Sequence, residues 1–346
     1  MEAKVSPDIA EKKALLLAGG AVRIPADFRL PFHASRSTAG PGAGSVSIVF
    51  SFGNTRAKKT MSRDSGDFDL IQHGTSLSIW KNGGLFIDKV ELTPTLLHAP
   101  FQAFVNLDHE CVLNCKFCAS PRLTNDITKN LTDERIIQSV IDASRNPDFK
   151  GVAFTSAVPE SPNVTVKRLA GLIREVRKRL PDAPIGVEPY ATRPDEVESL
   201  KDAGADEIKL NIESFDRDVF EKVCPNRDYD AIMHAINHAC EVFGKNRVCS
   251  NMIYGLGEKD ETVLEGVRVL ANMGAVATLR SLRLNTYNRS ELQDVLGRLE
   301  PVSADRMLSL ARREKIILEE YGLTTLSFKT MCHSCLSCDI VPFWDV

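Results

Sequence analysis

Phe101-Gln102-Ala103-Phe104-Val105-Asn106-Leu107, followed closely by Cys111-Val112-Leu113-Asn114-Cys115-Lys116-Phe117-Cys118, decides how this chain is read. The first segment is a short apolar run of the kind that forms a strand buried on both faces of a parallel sheet. The second carries three cysteines at C-x3-C-x2-C spacing, with an aromatic residue just before the last. Three thiolates on one tight loop can hold three irons of a [4Fe–4S] cluster and leave the fourth without a protein ligand. An iron with an open position can bind and activate a substrate, whereas a cluster closed by four thiolates mainly stores or passes electrons. Structural zinc is the competing reading. Zinc wants four ligands, usually as two C-x2-C pairs, and the nearest fourth donor here is His109.

A disulfide framework is a further alternative. The chain has nine cysteines, an odd number, and its start, Met1 to Pro7, has no apolar signal region. The expectation is a reducing, cytoplasmic setting, where cysteine clusters are more often metal sites than disulfides. At 346 residues, 43% hydrophobic and 26% charged, the composition is that of an ordinary globular protein. A formal net charge of −3 argues against bulk attraction to nucleic acid. No apolar run approaches the ~20 residues of a membrane helix.

From Phe101 onward, strand-like and helix-like segments alternate. Strands are expected at Phe101–Leu107, Gly151–Ser156, Ile185–Pro189, Glu207–Ile212, Val248–Tyr254 and Thr278–Leu284. Helices are expected from Thr132, over Val166–Leu180 and Pro194–Ala203, near 216–223 and 228–243, and over Glu261–Met273 and Ala304–Glu320. About six βα units imply an α/β fold with a parallel sheet and helices outside it, a partial rather than a closed TIM-like barrel. Catalytic groups of such sheets sit at the C-terminal strand ends, where the cysteine loop falls. Residues 1–100 read as a β-rich accessory domain covering the barrel mouth or as a structural extension. They hold a helix at Lys4–Ala18, a Ser/Gly/Pro-rich loop at Ser35–Gly44, strands at Val46–Phe52, Asp67–Ile71, Leu77–Trp80 and Leu85–Val90, and an Asn82-Gly83 turn. The expected division is 1–100, 101–322 for the barrel and 323–346 for a short tail.

The cysteine spacing at the end of a first strand resembles the signature of the radical S-adenosylmethionine (radical SAM) enzymes. The resemblance covers roughly residues 103–285 and implies a partial (βα)6 barrel. It implies that Cys111, Cys115 and Cys118 hold a [4Fe–4S] cluster whose open iron chelates SAM, yielding a 5′-deoxyadenosyl radical that abstracts hydrogen from a substrate C–H bond. A low-potential donor such as ferredoxin or flavodoxin would supply the electron. Phe117 would pack near the adenine. Ser156 and Ala157 stand where the family often has a Gly-Gly-Glu turn, without its glycines. Asn211 and Glu213 end the fourth strand, where related enzymes hold ribose or the SAM ammonium; a strand-end cap or surface salt bridge is the plainer alternative. Gly255 and Gly257 belong to a segment resembling G-x-I-x-G-x-x-E, with Asn251 in place of the first glycine. Arg280 and Arg283 could pair with a carboxylate of SAM or substrate.

Cys332-His333-Ser334-Cys335-Leu336-Ser337-Cys338 is the second strong motif. C-x2-C-x2-C opens ferredoxin-type cluster-binding runs, so an auxiliary Fe–S cluster, [4Fe–4S] by preference, is expected there. Its fourth ligand is Asp339, a distant cysteine (Cys224, Cys240, Cys249) or the substrate; zinc with His333 is the alternative. The three distant cysteines otherwise read as buried structural thiols. His234 and His238, at helical i,i+4 spacing, read as surface or packing residues, and His98 as a residue near the active site. Among two-cluster families the chain resembles the biotin and lipoyl synthase-like group, which implies sulfur insertion, although its C-terminal triplet departs from the bacterial pattern. An archaeal-type two-protein lipoyl synthase would add a partner radical SAM protein. A maturase acting on a peptide or protein side chain, and a non-catalytic Fe–S or zinc scaffold, are the rival readings.

Overall fold

The computed structural model describes residues 5–32, 43–123 and 131–346. Most of the Ser35–Gly44 loop and the first residue of the Lys4–Ala18 segment lie outside them.

The chain opens with helix α1 (Pro7–Ala18), capped by Ser6, whose side chain accepts from the Ile9 amide. Six strands follow: β1 (Val22–Arg23), β2 (Ser47–Phe52), β3 (Thr55–Ser62), β4 (Phe68–His73), β5 (Ser76–Lys81) and β6 (Gly84–Thr93). They close into a small barrel in the order β1-β3-β2-β6-β5-β4, with β1 pairing parallel to both β3 and β4. The Asn82-Gly83 turn joins β5 to β6, both residues in the left-handed region that such a hairpin needs. Strand β3 was not expected from sequence. Its inward positions are Thr55, Ala57 and Lys59, and a lysine at an inward position hides the alternation.

The second sheet is all-parallel, in the order β12-β11-β10-β9-β8-β7, which is sequence order. Its strands are β7 (Gln102–Asn106), β8 (Gly151–Thr155), β9 (Ile185–Glu188), β10 (Glu207–Lys209), β11 (Val248–Tyr254) and β12 (Val276–Ser281). The crossovers are α2 (Asp133–Ser144), α3 (Pro162–Arg179), α4 (Pro194–Asp202), α5 (Arg217–Val223) with α6 (Tyr229–Phe243), and α7 (Asp260–Met273). After β12 come α8 (Arg289–Leu296), α9 (Ala304–Glu320) and α10 (Met331–Cys335). This is the expected α/β partial TIM-like barrel, with β7 and β12 as its edges. The helices bury an apolar stripe on the sheet: Val166, Leu169, Ile173 and Val176 of α3 are at most 2% exposed. Each such aliphatic side chain contributes about 1.5–3 kcal/mol. No helix among the described residues is long and apolar enough to cross a membrane.

The C-terminal tail is built into the barrel. It crosses the N-terminal end of the sheet, where the Glu207 carboxylate accepts from the Lys329 and Thr330 amides at 2.8 and 3.0 Å. Gln102 brackets Met331, accepting from its amide at 2.7 Å and donating to its carbonyl at 3.2 Å. The chain then turns into the lumen with Cys332. It finishes against the small barrel and α1: the Lys58 amide donates to the Ser337 carbonyl at 2.6 Å, and buried Lys13 pairs with buried Asp345 at 2.6 Å.

Candidate active site

Every parallel strand sends alternate residues into the lumen. Those inward residues, the β7 loop and the tail enclose a cavity of about 320 Å3 at the C-terminal ends of the strands. Cys111, Cys115 and Cys118 line it, and so do Cys332, Cys335 and Cys338. Two motifs more than two hundred residues apart thus share one chamber.

The first triplet sits on a braced loop. The Lys116 amide donates to the Val223 carbonyl at 2.8 Å, and the Cys118 amide to the Cys115 carbonyl at 3.1 Å. Arg122 donates to the Cys115 carbonyl at 3.2 Å, donates to the Cys118 carbonyl, and is anchored by Glu291 at 2.6 Å. The Val158 amide points at the Cys111 sulfur, 3.5 Å away. A hydrogen bond from the Cys224 thiol holds the Cys115 thiol below its ordinary value, with Arg227 assisting against the effect of burial. Burial pushes the Cys118 thiol up to about 11. A bound metal reverses that preference, because a coordinating thiol gives up its proton.

The second triplet is met by buried cations. Lys209 Nζ lies 3.2 Å and Arg280 Nη2 3.0 Å from the Cys332 sulfur. Burial pulls the Lys209 ammonium down, but neighbouring Cys332 and Glu188 outweigh it and hold Lys209 above the usual lysine range. Two buried cations thus converge on one sulfur of the second triplet. Among the described residues, no three His, Cys, Asp or Glu side chains converge as a single ion requires. Four-iron clusters are held by cysteine thiolates, and cysteines of both triplets line this one cavity.

Phe117, Ser156, Ala157, Asn211 and Glu213 also line the cavity. Ser156 donates to Asp108 at 3.0 Å, and the Ala157 amide donates to the Asp108 carbonyl at 3.2 Å. Asp108 itself is held by Arg168 at 2.8 Å, so this turn and the cysteine loop are one braced unit. Asn211 donates to Glu188 at 2.7 Å and accepts from the Asn251 amide at 3.1 Å. Glu213, with φ 64°, pairs with Arg227 at 3.0 Å; burial raises its carboxyl, with Arg227 pulling the other way.

Other expected residues are placed differently. Gly255 and Gly257 are not among the residues lining the cavity; they form a turn clamped by Glu258, which accepts from the Gly255 and Leu256 amides at 2.7 and 2.8 Å. A Cβ on Gly255 would meet Val302 at 2.5 Å, so close packing already requires glycine there. The carboxylate that Arg280 meets is Asp339, at 3.1 Å, and Arg283 donates to the Cys338 carbonyl at 3.2 Å. Cys224 neighbours Cys115 instead of the second triplet, and Cys240 is buried on α6. His333 bonds Thr278 at 3.1 Å and packs on Phe328, and His109 bonds Asn106 at 3.2 Å; neither lines the chamber. His98 does line it, packed edge-on against Phe104. His238 pairs with Glu198 at 3.0 Å on the protein's outside, and His234 is exposed. Lys209 and Glu188 went unread in the sequence, although charged residues inside apolar parallel strands are the mark of inward, functional positions.

A sequence model described as the radical SAM superfamily matches residues 105–270. The biotin synthase of Magnetococcus marinus is 24% identical over 208 residues, 58% of this chain and 62% of that protein. The lipoyl synthase of Thermus thermophilus is 28% identical over 171 residues, 47% of this chain and 51% of that protein. Among solved structures, the FeFe-hydrogenase maturase HydG from Carboxydothermus hydrogenoformans matches with TM-score 0.52 at 18% identity, over 64% of this chain and 52% of that one. Methylornithine synthase (PylB) matches with TM-score 0.50 at 16% identity, over 64% of this chain and 69% of that one. The chain thus spans about half to two-thirds of the proteins it resembles. With the cysteine loop at the end of the first strand of a parallel partial barrel, and the match running from that strand to α7, residues 105–270 of this chain match the radical SAM superfamily.

Proposed function

We propose that the protein is a radical SAM enzyme that works on a substrate held between two Fe–S clusters, one at Cys111, Cys115 and Cys118 and one at Cys332, Cys335 and Cys338. The observation that carries this reading is the single cavity lined by both triplets. Bound there with SAM, the first cluster would supply a 5′-deoxyadenosyl radical for hydrogen abstraction and the second a sulfide for insertion at the resulting carbon. The chain's own part is to bind, orient and exclude water. Asn211 and Glu213 offer an amide and a carboxylate to the ribose and ammonium of SAM, and Phe117 offers a ring face to the adenine. The tail closes the floor of the chamber through Thr330 and Met331, so a substrate enters from the cysteine-loop side. The distant likeness to biotin and lipoyl synthases supports sulfur insertion, with a small or protein-bound acyl substrate and a ferredoxin- or flavodoxin-type reductant.

The test is anaerobic reconstitution with iron and sulfide, then SAM and dithionite, with iron per chain and 5′-deoxyadenosine as readouts. About eight irons are expected, with deoxyadenosine lost on replacing Cys111, Cys115 and Cys118 by alanine. A thiolated product from an octanoyl or dethiobiotin-type substrate, with loss of cluster sulfide, supports insertion. Deoxyadenosine release stimulated by a peptide, with no thiolation, points to the maturase reading. No SAM cleavage under strong reduction returns the protein to the scaffold reading.

A further inference from the structure

Three cysteines leave one iron of a four-iron cluster without a protein ligand. The sequence leaves Asp339, Cys224, Cys240 and Cys249 open for that position at the second triplet. The structure separates them. Cys224 is engaged with Cys115, and Cys240 lies on the outer helix α6. Cys249 is 1% exposed on β11 and does not line the chamber. Asp339 does line it, together with all three cysteines, and its side chain is only 7% exposed. Its Oδ2 accepts from Arg280 at 3.1 Å, while its Oδ1 is buried with no hydrogen-bond partner among the described residues. A buried carboxylate oxygen without a partner is costly unless something cationic meets it.

We infer that Asp339 is the fourth protein ligand of the second cluster, with Oδ1 on the iron that Cys332, Cys335 and Cys338 leave open. This rests on the two-cluster reading proposed above. Adjacent residues would crowd a single tetrahedral ion, but Cys338 and Asp339 are free to reach neighbouring irons of one cube. Arg280 fits the assignment from the other side. One nitrogen of its guanidinium meets Asp339 Oδ2 and the other meets the Cys332 sulfur, so a residue of β12 fixes two ligands at once. A cluster closed in this way offers substrate no vacant coordination position, unlike the first. A carboxylate is also a harder and more exchangeable ligand for iron than a thiolate.

The experiment uses the full protein, reconstituted with both clusters, with SAM added to cover the open iron of the first. The probe is 13C-cyanide, read by EPR and ENDOR after dithionite reduction, in wild type, Asp339→Ala, Asp339→Asn and Asp339→Cys. Wild type and Asp339→Cys are expected to show no cyanide coupling at the second cluster. Asp339→Ala and Asp339→Asn are expected to show it, and to yield at least fivefold more three-iron signal on mild oxidation. Asparagine keeps the shape and the contact to Arg280, so it reports on ligation if the alanine variant folds poorly. Cyanide coupling at the second cluster of wild type, or a second cluster in Asp339→Asn indistinguishable from wild type, overturns the assignment. Iron content unchanged on replacing Cys332, Cys335 and Cys338 by alanine would instead sink the two-cluster reading itself.

Discussion

Arg227 shows what single residues contribute to this chamber. Its guanidinium lies 5.0 Å over the Tyr190 ring, 3.0 Å from Glu213, and donates to the Asn211 carbonyl. Both side chains of the pair are at most 10% exposed. Breaking such a pair strands a buried charge, whereas removing both partners costs much less. Arg227→Met is therefore expected to lower stability by about 3–5 kcal/mol. Arg227→Met combined with Glu213→Gln should recover much of that loss, as read by urea unfolding of the two proteins under argon. Equal losses in the single and double variants would show that the pair contributes through packing alone.

Elements act here through their contacts with the tail. Gly186 of β9 faces Thr330, and a Cβ on it would lie 2.1 Å from the Thr330 hydroxyl oxygen. Gly186→Ala should push the tail off the sheet at a cost of about 1–3 kcal/mol. Because Cys332 follows so closely, iron at the second triplet should fall while iron at the first is retained, measured as iron per chain and by Mössbauer spectroscopy. Helix α9 carries a different tension. Glu314 is fully buried, and neither carboxylate oxygen has a hydrogen-bond partner among the described residues. Burial, reinforced by the charge of Asp339, raises its carboxyl well above the ordinary value of 4.5. The folded protein thus holds a proton that the unfolded chain releases above that value. The associated stability is whole below pH 4.5 and is lost as pH rises through the folded value. Glu314→Gln should remove this dependence, so its advantage over wild type should grow from pH 5 to pH 8 by up to about 1.4 kcal/mol per unit. Parallel stability curves for the two proteins across that range would refute the assignment.

At the scale of the whole molecule, the small barrel, α1 and the tail hold one another. Lys13 of α1 donates to the Leu336 carbonyl at 2.8 Å and to Asp345 at 2.6 Å, and Thr55 of β3 donates to the other Asp345 oxygen at 2.6 Å. Arg56 of β3 donates to the Cys335 carbonyl at 3.1 Å. The N-terminal unit therefore braces the segment that carries the second triplet. Lys13→Met should cost about 3–5 kcal/mol by leaving Asp345 buried without its cation. Calorimetry of that variant should show the small barrel and the tail losing stability together; an unchanged tail would show that the two units are independent.

The sequence by itself determined what depends on neighbours along the chain. Strand and helix periodicity from Phe101 to Glu320 gave the parallel partial barrel, because each βα unit buries its own stripe locally. The spacing of Cys111, Cys115 and Cys118 put three thiols on one short loop after the first barrel strand, because their placement needs no distant partner. Tertiary structure alone decided where the second triplet goes. Cys332 meets Lys209 from 123 residues away and Arg280 from 52. The tail enters from the floor only because Gln102, Gly186 and Glu207, on three separate strands, present a slot for Thr330 and Met331. Such contacts leave no periodic trace in sequence: a buried lysine on β10 looks like a surface residue until the cysteine sulfur it donates to is brought beside it.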